Sequence, residues 1–306
     1  MLFHGIYELN ENPRIIALYG DDAMDYIKDT YQTSQGPLYF LWHCAWYQGR
    51  IKSIAKLKYQ FSTLKKKGIT PILVTNTAKE ESLRKSFGIP GLQCITYIFT
   101  DEDDYSIDQR ERDIDAVYTA QMLPFKRLEL AAEIERLFIL TYKPGAKIYD
   151  LHEEYPMLRH ADYNRGWVDP AGKNELYNRA QVGLCLSKEE GAMLASLEYM
   201  LSGLPVVSTP SLGGRDTYYD PEYTMIVEPH AQKVKEAVEE LKSRKLDPHD
   251  IREKTIARMK KDRQRYVDFL VDYVKKDSGV LLDADVLYAQ IFESPKERFE
   301  KLRVFL

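Results

Sequence analysis

Two glutamates, Glu190 and Glu198, stand eight residues apart in the run Ser187-Lys188-Glu189-Glu190-Gly191-Ala192-Met193-Leu194-Ala195-Ser196-Leu197-Glu198. The pattern predicts a buried strand over 182–186 and a helix over 192–201, so one carboxylate precedes the helix and the other lies inside it. At a helical rise of ~1.5 Å per residue the spacing is roughly 12 Å, comparable to the span from a sugar to a ribose across a diphosphate. Gly191 has no Cβ to obstruct a ligand, and the orphan amides of Gly191, Ala192, Met193 and Leu194 lie at the positive end of the helix dipole. An anion flanked by hydroxyl-bearing groups would suit such a segment.

Other residues are candidates for the same chemistry. Lys126 and Arg127 follow Pro124 at the start of a helix predicted over 125–140. A helix N-terminus disfavours cations by ~0.3–1 kcal/mol unless an anion compensates, and a bound diphosphate would compensate. His43 ends a predicted strand over 38–42, where it could orient a ligand or handle an acceptor's proton. A structural histidine is an equally open reading. His152, in Asp150-Leu151-His152-Glu153-Glu154, reads as part of a solvated loop, and Gly213-Gly214-Arg215-Asp216 reads as a turn before it reads as a ligand contact. Cys44, Cys94 and Cys185 are odd in number and widely spaced, with no Cys or His at metal-ligand spacing. A reducing, cytoplasmic setting with no metal centre is expected.

The elements that must position these residues alternate. In the first third, apolar runs at 38–42, 72–74 and 94–99 read as strands, and the segments 51–64 and 79–87 between them as helices. Gln35-Gly36-Pro37, Gly68-Ile69-Thr70-Pro71 and Gly88-Ile89-Pro90-Gly91 punctuate them. After a charged stretch at 101–115, which reads as a linker, strands are predicted at 114–118, 147–149, 182–186, 205–208 and 224–227. Helices fall at 125–140, 174–178 and 192–201. Beyond His230 the pattern is wholly helical, at 234–241, 251–274 and 284–306, with breaks at Leu246-Asp247-Pro248 and Asp277-Ser278-Gly279. Alternation of this kind implies α/β architecture with parallel sheets, and ligands sit beyond the carboxyl ends of such strands.

Composition bounds the function. With 306 residues, 44% hydrophobic residues and a formal net charge of -4, the chain can build a large core and has no basic excess for nucleic acid. No apolar stretch approaches the ~18 residues of a membrane span. Every charge between Thr30 and Lys79 is positive, however, and Ile51, Ile54, Ala55, Phe61 and Leu64 form an apolar stripe along residues 50–67. Peripheral contact of that helix, from Arg50 to Lys67, with an anionic membrane is one reading; packing of the stripe on a sheet, with solvated lysines, is the favoured one.

The ordered set Ser187, Glu190-Gly191, Glu198, Gly203-Leu204-Pro205-Val206-Val207-Ser208 and Gly213-Gly214 resembles the donor-binding signature of retaining GT-B glycosyltransferases of the family 4, or group 1, type. The resemblance covers about 115–241. It implies two Rossmann-like doubly wound domains facing a cleft: a short acceptor-side domain over 1–108 and a nucleotide-sugar donor domain over 109–283. A C-terminal helix over 284–306 would cross back to the first domain. By resemblance Glu190 meets hydroxyls of the donor sugar, Glu198 the ribose, and Asn164-Arg165-Gly166-Trp167-Val168 with 176–180 frames the base. Lys126 matches the lysine of the family's basic pair. Gln121 stands at its arginine, with Arg127 as a substitute, and Met193 replaces a second glycine.

The implied activity is that of a retaining hexosyltransferase of glycan biosynthesis, with a UDP- or GDP-sugar as donor. No cofactor is required, and a glycan, lipid-linked or small-molecule hydroxyl is the acceptor. A nucleotide-sugar epimerase and a non-catalytic nucleotide-sugar-binding subunit are the alternatives.

Overall fold

The structure is a computed structural model that describes residues 5–19 and 38–293. The Gln35-Gly36-Pro37 break and the helix expected beyond 293 lie outside the described residues. The chain divides into two compact units, one formed by 1–101 together with 259–306 and the other by 102–258. The sequence reading places the divisions instead at 108/109 and 283/284. The division at 258/259 falls inside a long helix, a place no break in composition marks.

Among the described residues, the first unit holds a five-stranded sheet in the order β1 (Gly5–Glu11), β2 (Arg14–Tyr19), β3 (Leu38–His43), β4 (Ile69–Thr75), β5 (Gly91–Gln93). β1 and β2 form an antiparallel hairpin, which the alternation scheme does not anticipate, and β2 to β5 run parallel. Side chains alternate across a strand, and β3 divides accordingly. Leu38, Phe40 and Trp42 pack with Ile54, Leu57, Phe61 and Leu64 of α1 (Ile51–Lys66), while Tyr39 and Leu41 enter the core on the other face. That second core is completed by Tyr266, Val267, Leu270 and Val274 of α7 (Pro248–Ser278) and by Leu287 and Ile291 of α8 (Ala284–Phe292). Most of the apolar stripe of α1 is thus a core face rather than a lipid-facing one; α1 shows solvent Lys52, Lys56, Lys58, Lys65 and Lys66, along with Ile51 and Ala55. The strand expected at 94–99 is instead a 3-10 turn, Thr96–Phe99, because the pairing with β4 ends at Gln93. A capping box between Thr77 and Glu80 starts α2 (Ala78–Ser86).

The second unit is a six-stranded parallel sheet, in the order β11 (Thr224–Ile226), β10 (Val206–Ser208), β9 (Ala180–Cys185), β6 (Ile114–Thr119), β7 (Leu137–Leu140), β8 (Asp162–Tyr163). The chain builds outward from β6 to β7 and β8, then returns to β9 on the other side of β6 and builds outward again. The order reverses between β6 and β9, and a doubly wound sheet opens its ligand crevice at the carboxyl ends of two such strands. Helices α3 (Leu151–Glu154), α4 (Pro170–Arg179), α5 (Leu194–Leu201) and α6 (Ala231–Ser243) complete the unit. The helix expected over 125–140 is instead two 3-10 turns, Pro124–Lys126 and Leu128–Ala131, followed by β7. Arg127 separates the turns in the left-handed region, at φ 54°, where an α-helix cannot continue. Residues 147–149, expected as a strand, lie outside any strand.

Candidate functional site

The loops leaving β6 and β9 carry the two residues that meet most closely at the switch point. Lys126 Nζ lies 2.5 Å from Glu190 Oε1, with both side chains almost wholly withdrawn from solvent. Backbone hydrogen bonds set this meeting. Lys188 N donates to the carbonyl of Phe125 at 2.8 Å, tying the second loop to the turn that holds Lys126. The Tyr118 hydroxyl, from β6, donates to the Lys126 carbonyl. On its other side the loop is stitched to 212–214: Glu190 N donates to Leu212 O, Leu212 N to Lys188 O, and Gly214 N to Gly191 O, at 2.7 to 3.0 Å. Gly213 is required there. It sits at φ 116°, and a Cβ on it would come within 1.7 Å of the Glu190 carbonyl oxygen.

Two arginines brace the same loops. The Arg215 guanidinium is fully buried and donates to Ser187 O and Ser187 Oγ, each at 2.9 Å, and to Thr209 O. Arg127 donates to Leu186 O at 2.6 Å and to Thr209 Oγ1 at 2.9 Å. Its guanidinium therefore holds the carboxyl ends of β9 and β10 in place. Gln121 donates to the Tyr142 hydroxyl.

Glu198 lies inside α5, as its spacing predicts, and is 1% exposed. Tyr177 on α4 donates its hydroxyl proton to Oε2 at 2.9 Å, and Lys173 Nζ lies 3.2 Å from Oε1. Tyr177 also meets Thr119 Oγ1 at 3.1 Å, which links Glu198 to the end of β6. Burial pushes the Tyr177 hydroxyl well above its ordinary range, and the Glu198 carboxylate adds to that, so the group is a hydrogen-bond donor at any working pH. The helix itself begins later than its pattern suggests, at Leu194 with Met193 as its N-cap. Gly191, Ala192 and Met193 thus form a lead-in to the helix, and the expected helical path between the two glutamates gives way to a loop and one helical turn.

Residues 164–168, expected from the resemblance to frame a base, are anchored beside the sheet at one end and open at the other. Asn164 accepts from Thr141 N at 2.7 Å and donates to Thr141 O at 2.9 Å, just past the carboxyl end of β7. It also donates to Gly166 O at 2.7 Å. Trp167 beyond it is 88% exposed, and Val168 is half-buried. His152 Nε2 lies 2.9 Å from Ala161 O, a structural contact.

His43 belongs to the first unit and is fully buried there, its Nε2 3.0 Å from the Tyr266 hydroxyl and its ring edge-on to Phe99 at 5.2 Å. Burial lowers its pKa to about 3. The ring is packed inside this core against Tyr266 and Phe99, the surroundings that the structural reading of His43 describes. Tyr177 falls in the 176–180 stretch expected beside the base and Arg215 in the turn weighed as a ligand contact, whereas Lys173 joins the site without having been expected from the sequence. Lys173 and Tyr177 were legible in principle, since four residues on one helix put them on one face. Arg215 was read as part of a turn before a ligand contact, and its buried bonds to Ser187 and Thr209 have no local signal.

Among the described residues no group of His, Cys, Asp and Glu could hold a metal ion, and no helix is long and apolar enough to cross a membrane. Residues 144–244 match the family model described as Glycosyl transferases group 1, a range that takes in Trp167, Lys173, Glu190 and Glu198. Solved structures of low sequence identity share the architecture. TarM is similar over 83% of this chain and 54% of its own, at 14% identity and a TM-score of 0.61. HepE of Anabaena, in complex with UDP-glucose, is similar over 92% of this chain and 78% of its own, at 12% identity and a TM-score of 0.59. Sucrose-phosphate synthase from Thermosynechococcus elongatus is similar over 88% of this chain and 70% of its own, at 14% identity and a TM-score of 0.54. The chain spans about half the length of TarM. No curated protein sequence matches it. The chain shares the GT-B fold of these structures, and residues 144–244 are the part that matches the group 1 family model.

Proposed function

We propose that this chain transfers a sugar from a nucleotide-diphosphate sugar to an acceptor hydroxyl with retention of anomeric configuration, as a cytoplasmic enzyme of glycan biosynthesis. The observation that carries the reading is the pairing of Lys126 with Glu190 at the switch point between β6 and β9, at 2.5 Å. Buried charges are held by a counter-charge or by a ligand. Here the two groups that suit a donor, one for the sugar hydroxyls and one for the diphosphate, occupy each other.

When a donor arrives, Glu190 accepts from sugar hydroxyls and Lys126 turns to the phosphates. A fixed ammonium beside a departing diphosphate stabilises the charge that develops on it, a role worth a few kcal/mol. This reading calls for no metal. Glu198 accepts from the ribose, and Trp167 offers its exposed face to the base. HepE and TarM were each solved with UDP bound, which favours a uridine nucleotide. The acceptor is a glycan, a lipid-linked sugar or a small-molecule hydroxyl.

Incubation with UDP-glucose, UDP-N-acetylglucosamine and GDP-mannose, alone and with a panel of oligosaccharide and polyol acceptors, tests the proposal. Acceptor-dependent release of nucleoside diphosphate, with a product whose anomeric configuration, read from its coupling constant, equals that of the donor, is the expected result. An inverted product would contradict the stereochemistry, and an epimer formed from the donor alone would replace transfer by epimerisation.

A further inference from the structure

Glu198 is almost wholly buried, with the Tyr105 phenol beside it as well as two partners on α4. Tyr177 fixes Oε2 at 2.9 Å from within the core. Lys173, one helical turn earlier on α4, reaches both oxygens, at 3.2 Å from Oε1 and 3.4 Å from Oε2. The lysine side chain keeps 17% of its surface exposed against 1% for the glutamate's. Such a pairing has a consequence for recognition. A carboxylate with a counter-charge on one side and a phenol on the other is fixed in aim and remains an acceptor only.

We propose that Lys173 is a positioning residue for ribose recognition: it holds the Glu198 carboxylate in the orientation that accepts from the ribose hydroxyls, and so sets the preference for a ribonucleotide. The inference rests on the donor-binding reading above and deepens it. Lys173 does not touch the reacting atoms. It acts through Glu198, and the face it shares with Tyr177 keeps both partners in register on α4.

The test compares the affinities of the full chain for UDP and for 2′,3′-dideoxy-UDP by calorimetry. The wild-type chain is expected to prefer UDP by tenfold or more. Lys173→Met should bring that preference to within twofold while the affinity for dideoxy-UDP stays within twofold of wild type. Lys173→Arg should retain most of the preference. A purely structural lysine would weaken both ligands alike, so equal losses, or an unchanged preference in Lys173→Met, would overturn the proposal. If Lys173→Met fails to fold, Lys173→Gln carries the same comparison. A wild-type chain that binds UDP and dideoxy-UDP equally removes this inference and leaves nucleotide binding standing. A wild-type chain that binds neither removes the donor-binding reading itself.

Discussion

Lys126 and Glu190 are 64 residues apart in the chain and 2.5 Å apart in the fold, brought together by the hydrogen bond from Lys188 N to Phe125 O. Removing one partner of a buried ion pair leaves an uncompensated charge and costs about 3–5 kcal/mol. Lys126→Ala should therefore lower stability by about 3 kcal/mol. The double substitution Lys126→Met with Glu190→Gln should recover most of that, as denaturant melts will read. Activity should not recover. Turnover should fall about 10²–10³-fold in Lys126→Ala while donor affinity falls much less; equal loss in both would reduce Lys126 to a binding residue.

Gly213 holds the same loop from the other side. Gly213→Ala places a methyl group against the Glu190 carbonyl and a non-glycine residue at φ 116°. Backbone strain alone should cost about 1–3 kcal/mol, and affinity for the nucleotide sugar should fall with it because Glu190 must shift. Gly145 provides the control: it too has positive φ, at 77°, but a methyl group added there would meet no atom within 4 Å. Gly145→Ala should lower stability through its φ and leave nucleotide-sugar affinity unchanged in a calorimetric titration.

Acid should weaken the first unit through His43. Burial holds its folded pKa at about 3, against an ordinary value of 6.5. The unfolded chain therefore binds a proton that the folded chain refuses. The stabilisation is complete above pH 6.5 and is lost as pH falls from 6.5 toward 3, at up to about 1.4 kcal/mol per pH unit. Asp115 contributes in a separate window. Burial raises its pKa, but hydrogen bonds from Arg136 and Lys242 outweigh that and hold it at about 2, so its contribution is lost only between about 3.8 and 2. Urea melts from pH ~7 to ~4, which span most of the His43 window and none of the Asp115 one, should show the slope in wild type and a flatter one in His43→Gln.

Trp167 tests the base-framing segment without disturbing the core. At 88% exposure its removal should change stability by no more than about 0.5 kcal/mol. Nucleotide affinity should fall by about 1–3 kcal/mol if the indole stacks on the base. An unchanged Kd for UDP in Trp167→Ala would move base recognition elsewhere.

The alternation of strands and helices was legible because apolar runs and Gly or Pro breaks are local. So was the Glu190 and Glu198 segment, whose residue types follow one another in order. What escaped depends on tertiary context. The helix expected over 125–140 has a helical pattern, but Arg127 adopts positive φ to bond across to β9 and β10, which no local preference announces. His43 has the sequence position of a cleft residue, and distant packing encloses it, with Phe99 and, 223 positions later on α7, Tyr266 against its ring. The partners of the glutamates, Lys126 and Lys173, come from other loops and helices, so the carboxylates could be placed from the sequence without what holds them.

The most direct test of the donor-binding segment is a thermal-shift panel of UDP, GDP, ADP and CMP on the wild-type chain and on Glu198→Gln. A nucleotide at a hundredfold excess over its Kd should stabilise the wild-type chain by ~2.7 kcal/mol, and the shift should shrink markedly in the variant. No response of the wild-type chain to any of the four, or an equal response in Glu198→Gln, would contradict the assignment of residues 187–214 to the grip on a nucleotide sugar.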